Sequence, residues 1–285
     1  MRVAAVSWAI REVRSFAEYL AHLDHLIALA CREQAQLVVL PESIDLERCS
    51  LRPDLAKHEI PQYLAEGVHK VFHQIESLAY EHKITLVGGT HLRHDGEKYV
   101  NSAIIATPDG VTFQDKNVLT QWELNEWEID HGAGLSLTPG SSLGVTVCYD
   151  VEFPGSVRAL AEAGCKVIAV PAFNEVQRGF HRVRWTCHAR TVECQVYVIH
   201  AALVGSLGRE PVPTSYGSSA VLCPSVLPMP ESGILAETPL NAEGVAIADI
   251  DLSLIEVARN SDDVRNWHDR DRGLWQVAYA EPQHI

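Results

Sequence analysis

"VTVCYDVEFPGSVRALAEAGCKVIAVPAF", residues 145–173, carries the reading of this chain. An apolar run stops at Cys148 and breaks into an acidic turn that reaches Pro154. A helical stretch follows, "GSVRALAEAG", and a second apolar run, "KVIAVPAF", closes it. Short continuous apolar runs bounded by turn residues are strands buried on both faces. Proline near position 154 suits the first turn of a helix, where its missing N–H removes nothing. Cys148 therefore ends a strand and meets a sharp turn. A thiol there is held rigid yet open, although an ordinary buried cysteine can sit in the same place.

Working outward, strands and helices alternate. "VAAVSW" (3–8) and "LVVLPE" (37–42) read as strands, and residues 15–34 place Phe16, Leu20, Leu23, Leu26, Ile27 and Ala30 at helical spacing. A second helix is expected at about 61–82. "ITLVGGTHL" and "YVNSAIIATPDG" then form a hairpin around "RHDGEK", and "GVTFQDKNVL" continues the sheet. Downstream, "HRVRWTCHARTVECQVYVIHAALVG" is a helix running into a strand, and "SYGSSAVLCPS" and "GVAIADIDL" are late strands. Ser, Pro and Gly cluster at 205–234, which reads as long loops. No linker or repeat interrupts the pattern. The expectation is one α/β domain over 1–285 with a C-terminal tail from about 255. The strands are too many for one flat sheet, so two stacked sheets with outer helices are expected.

Composition bounds the function. Of 285 residues, 47% are hydrophobic and 21% charged, ordinary values for a globular protein. A formal net charge of -14 argues against nucleic acid, which needs clustered Lys and Arg. No stretch reaches the ~18 apolar residues of a membrane span. The seven cysteines, Cys31, Cys49, Cys148, Cys165, Cys187, Cys194 and Cys223, are odd in number and show no C-x-x-C spacing. That pattern fits reduced thiols in a cytoplasmic protein rather than a disulfide framework or a zinc ribbon.

Three reactive side chains end apolar strands: Glu42 after "LVVLP", Lys116 after "GVTFQD" and Cys148 after "GVTV". Sites in α/β sheets form beyond the carboxyl ends of strands. A carboxylate, an ammonium and a thiol there make a working set: base, oxyanion partner and nucleophile. Each alone has an ordinary reading, as a capping acid, a surface lysine and a core thiol. His181 and His188, seven residues apart on the late helix with no matching acid, read as packing or solvated residues rather than metal ligands. Arg190 and Glu193 read as a helix ion pair.

The stretches "LVVLPES", "QDKNVLTQWELNEW", "GVTVCYDVEFPGSVRALAEAGCKVIAVPAF", "GFHRVRWTCHARTVECQVYVIHAALVG" and "YGSSAVLCPS" resemble the nitrilase, or carbon–nitrogen hydrolase, superfamily over nearly the whole chain. The resemblance implies a four-layer α-β-β-α sandwich of two stacked mixed sheets. It implies a Glu–Lys–Cys triad of Glu42, Lys116 and Cys148, with Glu123 as a second acid and Glu126 its competitor. The Tyr149 N–H would be an oxyanion donor, favouring the thiolate with Lys116, and Asn174 a substrate-binding residue. Nitrile-cleaving members tend to have Trp and Glu directly after the cysteine. Here Tyr149 and Asp150 follow, which resembles the amide-cleaving branch. The implied activity is hydrolysis of a small non-peptide amide through a thioester, with a nitrilase or an acyl transferase as alternatives. No metal or organic cofactor is implied, and a homodimer or larger homo-oligomer is. The chain departs from the family pattern at Val118, where histidine is common, and at Thr191 and Cys194.

Overall fold

A computed structural model describes residues 1–138 and 140–270. The chain runs β1 (Arg2–Ile10), α1 (Phe16–Arg32), β2 (Leu37–Val39), α2 (Ile60–His82), β3 (Thr85–His94), β4 (Tyr99–Thr107), β5 (Gly110–Asp115), β6 (Leu143–Val145), α3 (Pro154–Glu162), β7 (Val167–Phe173), α4 (Gln177–Cys194), β8 (Tyr197–Gly205), β9 (Ala220–Leu222), β10 (Ile234–Glu237), β11 (Gly244–Asp249), α5 (Ser253–Arg259) and α6 (Asn266–Asp269). Local signals account for the helix starts. Ser15 caps α1 by accepting the Glu18 N–H at 3.1 Å, and α3 begins on Pro154.

The fold is mixed α/β, as expected. One strand set runs β11-β1-β2-β3-β4-β5, and a second, built on β8, joins β7 and β6 on one side and β9 and β10 on the other. The structure departs from two separate sheets at β1. Its first half pairs antiparallel with β11 and parallel with β2. Its last residues, Trp8–Ile10, pair parallel with Leu203–Gly205 of β8. Hydrogen bonding therefore passes unbroken from one set to the other.

Alternation along the strands divides the core. Ala4, Val6, Val38, Leu86 and Ile104 pack with α1 and α2. Their neighbours Val3, Ala5, Leu37, Val39, Val87 and Ala103 belong to a second core with β7, β8, α3 and α4. Period-two alternation with both faces buried is what a sheet lying between helices and another sheet requires. These two cores support the layered order that the resemblance implied.

Among the described residues, no helix is long and apolar enough to cross a membrane. β10 was not expected; it lies just beyond the loop-rich stretch and pairs with β9. The expected tail begins within α5 and continues through α6, and its remainder, 271–285, lies outside the described residues.

Candidate active site

Glu42 follows β2 by way of Pro41, and a bulge in β3 shapes that exit. Between Val87 and Thr90 the β3–β4 register shifts. Gly89 sits there at φ +78, and a Cβ on it would lie 2.5 Å from the Pro41 carbonyl oxygen. Only glycine lets the two backbones approach this closely. Thr90 N–H donates to Pro41 O at 3.3 Å, and Ser43 N–H to Thr90 Oγ1 at 3.0 Å. The Glu42 carboxylate is thus held in the interior, 3% exposed. Its Oε1 accepts from Lys116 Nζ at 2.8 Å and from Asn101 Nδ2 at 3.1 Å. Its Oε2 accepts the Phe173 N–H at 3.0 Å.

Lys116 is the first residue beyond β5, and its N–H bonds Asn101 O at 2.8 Å. Its ammonium meets both oxygens of Glu123, at 2.9 and 2.8 Å. Glu123 opens a π-helical turn, Glu123–Trp127, and its Oε2 accepts the N–H and hydroxyl of Thr120 at 2.8 and 2.9 Å. The competing acid, Glu126, lies instead on the surface, 3.5 Å from Lys57. Charge balance follows from these contacts. Burial opposes the Lys116 charge, but Glu123 and Glu42 outweigh it and hold the ammonium above its ordinary value. Burial also works against Glu123, yet Lys116 and Thr120 bring its carboxyl below the usual range. For Glu42 burial prevails over Lys116, with help from Glu123, and its carboxyl is raised.

Cys148 lies three residues beyond β6, at the start of the 3₁₀ turn Cys148–Glu152. Its φ is +44, a left-handed backbone that a non-glycine residue adopts only under restraint. Asp150 supplies part of it. Its carboxylate accepts the N–H groups of Val118 at 2.7 Å, Asn117 at 3.2 Å and Val147 at 3.3 Å. One acid thereby ties the Cys148 turn to the segment after Lys116. Arg190 ties it to α4, donating to Val151 O at 3.1 Å and Glu152 O at 3.3 Å as well as to Glu193. The Tyr149 N–H lies in the first turn, whose N–H groups lack acceptors inside it.

The thiol differs from expectation. Its Sγ donates to Phe173 O at 3.5 Å. Burial first, and then Glu42, push the thiol well above its ordinary value, and Lys116 offsets only part of this. The expected thiolate is therefore not the resting form. The site already holds two carboxylates for one ammonium, and a third buried negative charge is unfavourable.

These groups line a cavity of about 250 Å³, with Trp122, Trp127, Tyr149 and Phe173 among its walls. Asn174 is there too, 8% exposed, and its buried Nδ2 has no partner among the described residues. An unpaired donor on a cavity wall is suited to a ligand acceptor. A larger cavity, about 610 Å³, lies where β2, β3, β6 and β7 begin, the opposite end of those strands. Among the described residues, its lining carries no titratable side chain, so the larger cavity is not the one that holds the titratable cluster. Among the described residues, no group of three His, Cys, Asp or Glu side chains could hold a metal ion. His181 stacks on Trp185, ring centroids 5.0 Å apart, consistent with a packing role.

The structure brings Glu42, Lys116, Glu123 and Cys148 together and sets Tyr149 and Asn174 beside them. Sequence reading missed Asn101, the Phe173 backbone and Asp150. The strand run "YVNSAIIAT" did carry one polar signal, an amide amid apolar residues.

Residues 2–260 match the family described as Carbon-nitrogen hydrolase. The chain is 28% identical over 289 residues to the probable hydrolase YhcX of Bacillus subtilis, covering 99% of this chain and 56% of that protein. It thus spans little more than half of that relative. It is 26% identical to omega-amidase NIT2 of Xenopus tropicalis, covering 93% of each. To a nitrilase of Pyrococcus abyssi it is 29% identical, covering 84% of this chain and 86% of that one. Among solved structures, Saccharomyces cerevisiae Nit3, a member of branch 10 of the nitrilase superfamily, matches with a TM-score of 0.75 at 25% identity, covering 93% of this chain and 94% of that one.

Proposed function

The chain belongs to the carbon-nitrogen hydrolase family, and from that premise we propose that it hydrolyses a small non-peptide amide through a thioester on Cys148. The observation that carries this reading is the placing of a thiol, a carboxyl and a buried ammonium, those of Cys148, Glu42 and Lys116, on the walls of one cavity. Glu42 takes the thiol proton as Sγ attacks the carbonyl carbon. Lys116 Nζ and the Tyr149 N–H hold the oxyanion. The ammonium makes two contacts to Glu123, and loosening one frees a proton for the oxygen that gains charge. Glu42 returns the proton to the departing ammonia or amine. It then takes one from water, which attacks the thioester carbonyl; the C–S bond breaks, the acid leaves, and Glu42 returns that proton to Sγ. Asn174 binds the substrate, and Glu123 holds Lys116. The cavity volume suits an acyl group of a few heavy atoms.

The amidase relative and the Cys148–Tyr149–Asp150 sequence support an amide over a nitrile. The nitrilase relative keeps the nitrile as the second reading, and interception of the thioester by an amine would make an acyl transferase. Feeding a nitrile and its amide separately decides the first pair: acid from the amide alone supports the amidase, and acid from the nitrile overturns it. Hydroxylamine competing with water tests transfer. Residues 1–285 as one domain, a homodimer or larger homo-oligomer, and a cytoplasmic location belong to the same proposal. Sedimentation of the purified chain tests the assembly.

A further inference from the structure

Asn101, in β4, is 1% exposed and bridges the two acids. Its Nδ2 donates to Glu42 Oε1 at 3.1 Å and to Glu123 Oε1 at 3.2 Å. Lys116 Nζ meets the same two oxygens at 2.8 and 2.9 Å. The result is a closed ring: one acid, the ammonium, the other acid, the amide. The amide orientation follows. Flipped, Oδ1 would face two carboxylates and Nδ2 would lose both acceptors. In the orientation seen, Oδ1 is buried with no partner among the described residues. A buried acceptor left unmade is costly. The side chain therefore gives up one of its own hydrogen bonds to keep both N–H groups on the acids.

Counting lone pairs shows what this does. Each oxygen of an ionised carboxylate accepts about two hydrogen bonds. Glu42 Oε1 has two, from Lys116 and Asn101. Glu42 Oε2 has one, from the Phe173 N–H, and Phe173 O also receives the Cys148 thiol. The open site on the base is on the oxygen whose neighbouring backbone holds the nucleophile.

We propose that Asn101 is a positioning residue that fills Glu42 Oε1, so that Oε2 takes the Cys148 proton, and that its two N–H groups keep both acids ionised beside one ammonium. This rests on the reading of Glu42 as the base. The charged or titratable groups facing Glu42 are Lys116 beyond β5, Glu123 in the π-helical turn and Cys148 in the 3₁₀ turn; β4 contributes only the amide. Removing donors to a carboxylate disfavours its charged form, so the consequence is a shift in the pH at which the base works.

The test is the pH profile of kcat/KM on an amide substrate for wild type, Asn101→Leu, Asn101→Ser and Glu42→Gln, with thermal melts on each. Asn101→Leu has no donor, and its acidic limb moves to higher pH by about one unit, a tenfold greater loss at low pH than on the plateau. Asn101→Ser keeps one hydroxyl donor and moves less, in the same direction. Should Asn101→Leu fail to fold, Asn101→Ser carries the test. An equal loss at every pH, with the limb in place, is what a merely structural residue gives and overturns the proposal. Glu42→Gln with wild-type activity would instead remove the base itself, so the two failures are distinguishable.

Discussion

Lys116 contacts two buried acids, Glu42 and Glu123, so its removal has consequences that can be signed in advance. Lys116→Met keeps the length and deletes the charge. Losing one oxyanion donor lowers turnover by ~10²–10³, roughly 3–4 kcal/mol, and single-turnover acylation with a chromogenic ester should fall by at least that much. Lys116→Arg should not restore it, because a planar fork cannot take the place of a point charge. A loss confined to substrate affinity would make Lys116 a binding group. The thiol gives a second prediction. Burial raises Cys187 to about 12 and Cys165 to about 11, and Cys148 is raised as well, so acidity does not single it out. What singles it out is a carboxyl group, that of Glu42, beside it. Glu42→Gln should slow iodoacetamide alkylation of Cys148 about tenfold or more while leaving the other cysteines unchanged. In wild type that rate should decline as pH falls through the raised Glu42 value. Equal alkylation in both proteins would mean that the thiol ionises without the carboxylate.

Strand ends are the elements that make the site, and Gly89 shows how closely they are fitted. Gly89→Ala forces a side chain into a left-handed backbone and against the Pro41 carbonyl. The expected loss is about 2–3 kcal/mol, read as a lower melting temperature. Because Pro41 directly precedes Glu42, kcat should fall more than KM changes. A variant that loses stability at full kcat would detach the bulge from the site. Much at this scale was legible. Continuous apolar runs located β1, β2, β7 and β8, and Glu42, Lys116 and Cys148 were read from where such runs stop. Pro154 marked the start of α3. Other features had no sequence signal of the right kind. An apolar run looks the same whether it has one set of neighbours or two, so the passage of β1 from one strand set to the other was hidden. Asn101 occupies an alternating strand position that does not reveal which groups it faces. Phe173 acts through backbone atoms, which every residue has. β10 is four residues long and ends on Glu237, too short for a period to register. The neutral thiol depends on a sum of charges brought together from distant segments.

At the scale of the molecule, one buried histidine joins segments that are far apart in the chain. His22 of α1 sets Nδ1 against Glu47 at 2.9 Å and Nε2 against Glu243 at 2.8 Å. Glu47 also receives the Trp8 indole N–H at 2.5 Å. Burial lowers the His22 value, but the hydrogen bonds that it donates to Glu243 and Glu47 outweigh this, so the imidazolium persists above the ordinary 6.5. A raised histidine contributes stability that is complete below 6.5 and is lost as pH climbs through the raised value. Glu243 is lowered despite burial, chiefly by His22, so its share is complete above 4.5 and is lost as pH falls through the lowered value. The melting-temperature gap between wild type and His22→Gln should therefore be widest between those pH values and narrow above them. A constant gap would mean that the imidazole acts by packing alone. The same long reach governs how the chain comes to be folded. β1 finds β2 nearby in the chain, yet Arg2 is bonded to Asp249 across 247 residues, and β8, the partner of its last residues, also comes late. A strand whose neighbours do not yet exist presents bare amide and carbonyl groups along an apolar ribbon, the kind of edge that captures other chains. Until β8 and β11 are made, the β1 edges that they cover need shielding, so protection during elongation contributes to the yield of folded chain alongside the stability of the finished fold.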